Sequence, residues 1–361
     1  MAGQRGFFDL DERYAALSKS GDPLERLSDV VDFEIFRDEL ERVLKRSDRR
    51  KGGRPPMDAV MMFKILVIQA LWGLSDEQVE YQVRDRLSFM RFLGLDLSGR
   101  VPDYSTVWRF REVLAEAGAI ESLFARFDAE LKAHGYFALG GQIVDASIVE
   151  APKQRLSREE KEQVKRGERP NWKPAKAAHK DVEARWTIKR GRVKKKPGPA
   201  LKPSERLTSG LLIPAFGYKS HINVDRRHRL IRRWQVSHAA AYDGDQLPRL
   251  LDPDVFDSRV WGDTAYRSAA NERAIAKAGR RSMIHFRKPK GRRMPGPHQR
   301  ANRARSKVRS AVEHVFAEQK ARMGLFIRSV GLARAKMKIG MANLAYNMRR
   351  LVWLDKSMTP T

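Results

Sequence analysis

Cysteine is absent from the 361 residues, which excludes a disulfide framework and any thiolate zinc site and fits a reducing cytoplasm. Long hydrophobic runs are missing as well. The most apolar stretch, residues 59–72, is interrupted by Lys64 and Gln69. It is too short to cross a bilayer and reads as a buried helix. The opening residues MAGQRGFFDL lack the basic and apolar regions of a secretory signal. These features point to a cytoplasmic protein with no membrane partner.

Acid is scarce in the second half. Residues 1–135 hold 21 Lys+Arg against 24 Asp+Glu, whereas residues 136–361 hold 51 against 20, so the net charge of +28 arises downstream. Residues 151–207 carry 19 basic and 7 acidic side chains, and residues 287–309 carry 10 basic and no acidic ones. Such concentration is the footprint of a polyanion partner. Neither run has the apolar stripe of an interfacial helix, so nucleic acid is favoured over an anionic membrane, with a solvated basic linker as the plain alternative.

The first 135 residues read as helices. Phe33, Phe36, Leu40 and Leu44 recur at helical spacing. Asp58 is placed to cap a helix over 58–72 that is apolar on most sides and therefore central to a bundle. Ser75 with Gln78 forms a capping box, and Asp103 to Thr106 opens a helix over 106–115. Short helices with tight turns leave both a helix-turn-helix and a structural bundle open.

From residue 137 the period becomes that of strands. FALGGQIVDASIVEA is apolar on both faces, as a central strand is. FGYKSHINVD and RLIRRWQVSHA follow as strands, DGDQLPRLL as a helix, SRVWGDTAY as a strand entering a loop, SAANERAIAKAG as a helix and RSMIHFRK as a strand. KPKGRRMPGPHQR reads as a mobile loop before a long helix from about Asn302 to Met323. The expected fold is α/β: an all-helical N-terminal domain over 1–135, a candidate for DNA binding, and a mixed-sheet domain over 136–355 that holds the candidate site residues considered next. Residues 151–210, with six prolines and dense charge, read as a basic, partly disordered insertion in it.

Three acids stand where a strand-based metal site places them. Asp145 lies within an apolar strand, where an ionised carboxylate costs several kcal/mol unless paired or metal-bound. Asp263 ends a strand beside Gly262, and ligands of open α/β sheets gather at such ends. Glu313 sits in the last predicted helix with Arg309 four residues before it and Lys320 seven after, on one face. Phosphodiester cleavage and strand transfer suit two Mg²⁺ ions about 3.5–4 Å apart, with Mn²⁺ as a substitute. Mg²⁺ takes hard oxygen ligands, which carboxylates supply. Asp145, Asp263 and Glu313 are thus both the catalytic and the metal-ligating candidates, and Arg309 and Lys320 would hold phosphates.

These residues resemble the bacterial DDE transposases, specifically the insertion sequence 5 family. VDASIVEAP resembles the first-aspartate motif of that family. GDTAY resembles its second, usually A-D-x-G-Y; Asp263 and Tyr266 match, and Ala265 replaces glycine. Arg309-x3-Glu313-x6-Lys320, with Glu313 set in VEHVF, resembles the third, with Ser306 where the signature has a tyrosine. GRPPMDAVMMFKILVIQALWGLSDEQVEYQVRD and VPDYSTVWRFR resemble the family's N-terminal helical domain, so the likeness runs from about residue 50 to 350. The resemblance implies an RNase H-like fold, with the first aspartate on the central strand and the glutamate on the last helix. It also implies a homodimer or larger synaptic complex on the terminal inverted repeats of an insertion sequence, and endonucleolytic DNA recombination as the activity. The alternatives are a domesticated or inactive DNA-binding relative and a general RNase H-like nuclease.

Further DNA-binding candidates are Lys290, Arg292, Arg293, Arg300, Arg303, Arg305 and Lys307, with Arg49, Arg50, Lys51 and Arg54 near the front. Asp181 has a counterpart in the family, although a turn role is the plainer reading. His221 reads as a structural strand histidine and Asp243 as a helix cap. Tyr266 and Trp234 are open to base stacking, with core packing as the default.

Overall fold

The computed structural model describes residues 9–44, 55–192 and 210–358. Arg49, Arg50, Lys51 and Arg54 lie outside the described residues.

Caps and apolar spacing build the helical front. It comprises α1 (Asp9–Lys19), α2 (Pro23–Val30), a 3₁₀ turn (Phe33–Phe36) running into α3 (Arg37–Leu44), α4 (Ala59–Trp72), α5 (Asp76–Asp85), α6 (Leu87–Leu93), α7 (Tyr104–Glu116) and α8 (Ala119–Ala133). Asp58 caps α4 by accepting from Met61 N at 2.9 Å, and α4 is buried on nearly every side. It stops at Gly73, whose φ of 66° is left-handed and whose Cβ position lies 2.8 Å from the Met323 carbonyl, so only glycine fits. Ser75 and Gln78 form both halves of the capping box on α5. Helix α7 starts at Tyr104, two residues before the expected position, because Asp103 itself is the cap.

The sheet is mixed. Its central strand β1 (Gln142–Glu150) pairs antiparallel with β3 (Gly210–Asp225) and parallel with β5 (Arg259–Trp261). Strand β3 also pairs antiparallel with β2 (Arg185–Arg192) and β4 (Ile231–His238), and β5 runs parallel to β6 (Arg281–Ser282). The segment RSMIHFRK is therefore strand over only two residues. Beyond Ser282 it keeps single bonds, Met283 N to Val260 O at 2.7 Å and His285 N to Gly262 O at 3.1 Å, instead of a ladder.

Within 151–192 the structure contains α9 (Arg158–Lys165), α10 (Pro174–Ala177) and β2, so this part of the insertion is ordered. Hydrogen bonds do the ordering. Ser157 and Glu160 form a capping box, Glu160 accepts from Trp172 Nε1 at 2.6 Å, and Asp181 is buried. Asp181 accepts from Glu183 N and Ala184 N at 2.9 Å, from the Tyr218 hydroxyl at 2.7 Å and from Gly331 N at 3.1 Å.

After α11 (Leu247–Leu250) and α12 (Ala269–Lys277), α13 spans Gly296–Ala317. It begins six residues before the expected Asn302, so the end of the expected loop is helical; proline in the first turn is tolerated because its missing N–H has no partner there. A π turn, Glu318–Arg322, follows. Helix α14 (Leu332–Met358), unanticipated from the sequence, packs against α2, α4, α7, α8 and β4. Asn347 on it bonds both backbone groups of Ile231 at 2.8 Å. One apolar cluster consequently runs from Phe36 and Phe63 in the helical front through Leu344 on α14 to Ile143 and Ile222 in the sheet. A second, smaller cluster, with Val144, Leu250, Val260, Tyr266 and Ile275, fills the opposite face. Among the described residues, no single helix is long and apolar enough to cross a membrane.

Candidate functional site

Alternation along β1 turns Ile143, Asp145, Ser147 and Val149 to one face. Helix α13 lies against that strand. Arg309 Nη1 on α13 donates to Asp145 Oδ2 at 2.6 Å, and Arg309 Nη2 is 3.3 Å from Glu313 Oε1. Lys320, in the π turn, donates to the Ser147 hydroxyl. The predicted Arg–Glu–Lys face thus meets the Asp145 strand at two points, two residues apart. The π turn widens the helix where Lys320 reaches the strand, a distortion often found at functional sites.

The Asp145 side chain is only 14% exposed. Burial pushes its carboxyl up to about 6, against the opposing pull of Arg309 and of the Ala146 N–H, which donates to Oδ1 at 2.9 Å. The Asp263 charge raises it further, so the two aspartates feel one another. Asp263 follows β5 and caps the 3₁₀ turn Thr264–Tyr266 through Ala265 N at 2.7 Å. The Asp-initiated turn and the site position therefore coexist at this residue. Glu313 is different: its side chain is 61% exposed and its ion pair is with Arg309. Among the described residues, no three His, Asp or Glu side chains converge closely enough to hold a metal ion.

Tyr266 is almost fully buried, with a hydroxyl that has no hydrogen-bond partner, and burial together with Asp145, Asp243 and Asp263 raises its pKa well above the usual phenol range. Trp234 is buried against Phe124 at 6.0 Å between ring centroids. Both rings are core residues, which removes them as base-stacking candidates. His221 is fully buried, bonds Ser237 Oγ at 2.7 Å and is held by burial down to about 4, hence neutral and structural. Asp243 does not cap its helix. Its Oδ1 instead accepts from Lys219 Nζ at 2.8 Å, and the 3₁₀ turn there has Tyr242 at the cap position without a side-chain bond. Asp181 takes the turn role described above.

Of the basic candidates, Lys290, Arg292, Arg293, Arg300, Arg303 and Lys307 are exposed. Arg305 turns inward, donating to the Ile284 carbonyl at 2.7 Å and stacking over Phe286 at 4.3 Å. Sequence reasoning passed over Ser147, which the register places on the Asp145 face; the signal was available as Ser147 lying two residues after Asp145 on a strand.

Residues 12–113 match a family described as Transposase domain (DUF772), and residues 215–348 match one described as Transposase DDE domain. The matches support a DDE-type transposase. The second match spans β3 through most of α14 and so contains Asp263, Arg309, Glu313 and Lys320, while Asp145 precedes it. No solved structure matches the chain.

Proposed function

We propose that the protein is a DNA transposase of the insertion sequence 5 type, which binds the terminal inverted repeats of its element, cleaves there and joins the ends to target DNA. Asp145, Asp263 and Glu313 are its acids and Arg309 and Lys320 its phosphate-binding bases. The observation that carries this reading is the buried Asp145 carboxyl, electrostatically coupled to Asp263 and paired with Arg309 at 2.6 Å. Support for an RNase H-like catalytic fold comes from Asp145 on a central strand flanked by an antiparallel and a parallel neighbour, with α13 laid against it.

The donor set at Asp145 and Asp263 fits a hard divalent cation: both are oxygen donors, and their mutual repulsion would be relieved by positive charge. These two residues would hold Mg²⁺, or Mn²⁺ in its place. When bound, the cation supplies Lewis-acid polarisation of the phosphate and the attacking oxygen. Arg309 meanwhile provides positive charge to Asp145. On gripping a DNA phosphate, Arg309 and Lys320 would exchange their bonds to Asp145 and Ser147 for bonds to substrate, which would free the Asp145 carboxylate. Glu313 is the third acid, released from Arg309 by the same exchange. Partners in this reading are DNA and further copies of the chain in a synaptic complex, within the bacterial cytoplasm.

The deciding experiment incubates purified protein with Mg²⁺ and a labelled terminal-repeat duplex. Nicked and joined products that vanish with Asp145→Asn are expected; no products from the unmodified protein would sink the proposal.

A further inference from the structure

The face that carries Asp145 continues beyond β1. In the register, Ser147 stands opposite Ser220 and Val149 opposite Tyr218; two residues further along β3, Phe216 stands opposite Trp186, and Pro214 opposite Ile188. Directly opposed residues share a face, so Trp186 and Ile188 stand on the Asp145 face of the sheet. Phe216 is buried, with the Trp186 ring 5.3 Å away. Trp186 itself is 42% exposed, Ile188 64% and Leu212 60%.

Residues 210–215 of β3 pair with β2 alone, while the Phe216 carbonyl also accepts from Ala151 N at 2.9 Å. The ladder to β1 begins at Gly217 and the ladder to β4 at Tyr218. The two strands therefore project from the sheet as a ribbon. A two-stranded ribbon is marginal in water by itself, and an exposed apolar face on one calls for a partner. Its root adjoins the candidate site: Lys189 Nζ lies 2.9 Å from Glu150 Oε1 at the end of β1, and Lys320 holds Ser147 three residues earlier. The charge of the segment selects the partner. Residues 185–206 contain nine Lys or Arg and one acid, so a second copy of the same ribbon would be repelled, whereas a nucleic-acid backbone would be attracted.

We infer that the β2–β3 ribbon is a nucleic-acid arm, in which Trp186 stacks on an unpaired DNA base beside the phosphate held at Arg309 and Lys320, and Ile188 wedges next to it. Every base offers a π face to an exposed indole, and apolar side chains commonly part neighbouring bases. The inference rests on the transposase reading and adds to it a place where the DNA end is held open.

Binding without divalent metal tests it, using a paired terminal-repeat duplex and a forked version with unpaired nucleotides at the cleaved end. Trp186→Ala and Ile188→Ser should each weaken binding to the fork by roughly tenfold while leaving the paired duplex almost unchanged. Trp186→Phe should restore most of the loss. Because Ile188 is so exposed, its variant keeps the test informative if Trp186→Ala unfolds. Fork affinities in both variants that match that of the unmodified protein overturn the inference, as does a change of oligomeric state in sedimentation with unchanged affinity for the fork, which would assign the ribbon to chain–chain contact. If these variants bind normally while Asp145→Asn loses cleavage, the ribbon fails and the transposase reading stands. Failure of the unmodified protein to bind either DNA overturns both.

Discussion

Arg309 and Asp145 form the pair on which the candidate site turns, joined at 2.6 Å across α13 and β1, with the guanidinium also reaching Glu313. Replacing Arg309 with Met removes the main influence that holds the Asp145 carboxyl down against burial. The acid limb of kcat/KM, expected near pH 6 in the unmodified protein, should then move to higher pH, because that limb reports the free enzyme. A limb that stays near 6 would detach Asp145 from the rate.

Asp145 should also leave its mark on stability. Its folded pKa of about 6 lies above its ordinary value of 3.8, so the folded state binds the proton more tightly and the contribution is full below about pH 4. Stability is lost as pH rises between those two values. Asp145→Asn should flatten that decline and make the protein more stable at pH 7, by on the order of 2 kcal/mol. Urea unfolding at pH 4 and pH 7 measures it; parallel curves for the two proteins would refute it.

Asp181 should behave in the opposite way. Asp181→Ala strips acceptors from the buried Tyr218 hydroxyl and from Gly331 N, which should cost on the order of 3 kcal/mol. Calorimetry would read this as a lower Tm, with DNA affinity of the remaining folded protein unchanged. A loss of affinity at full stability would restore Asp181 to the DNA-contacting set.

The basic candidates divide by exposure. Replacing Lys290, Arg292, Arg293 and Arg300 together should lower the slope of log affinity against log salt by roughly 0.9 for each lost phosphate contact. Arg305→Ala should leave that slope alone and reduce stability, since Arg305 is tied to Ile284 and Phe286. Filter binding between low and moderate salt separates the two.

Gly340 on α14 is a packing test. A Cβ there would meet Ile120 Cγ1 at 2.4 Å and the Trp234 ring at 2.9 Å. Gly340→Ala should destabilise by about 1–3 kcal/mol despite its better helix propensity. An unchanged midpoint would mean that α14 is less tightly seated than described.

What the sequence made legible followed from local rules. Asp58, Ser75 and Asp103 cap where side-chain chemistry alone puts them, and the apolar run around Asp145 is the central strand. Register and tertiary bonds were not legible. Strand β2 is polar and owes its order to Asp181 and to pairing with β3, neither of which has a periodic signal. Helix α14 is apolar on much of its surface but contains Lys, Arg and Asn, which blurred its pattern until its packing against α4, α7 and β4 gave those positions a reason. At the site, sequence spacing brought Arg309, Glu313 and Lys320 to one face. The same spacing made the i,i+4 pair of Glu313 with Arg309 legible, but not the bond that Arg309 makes across to Asp145 on the strand.

The continuous core has a mechanical meaning. Because α14 is packed into both the helical front and the sheet, the described residues of the two share one core. On the transposase reading, swinging one half against the other to bring a DNA end to the acids would have to break that core. The distance has to be covered by the DNA itself, bent or frayed at the end, or by whole subunits moving as rigid bodies.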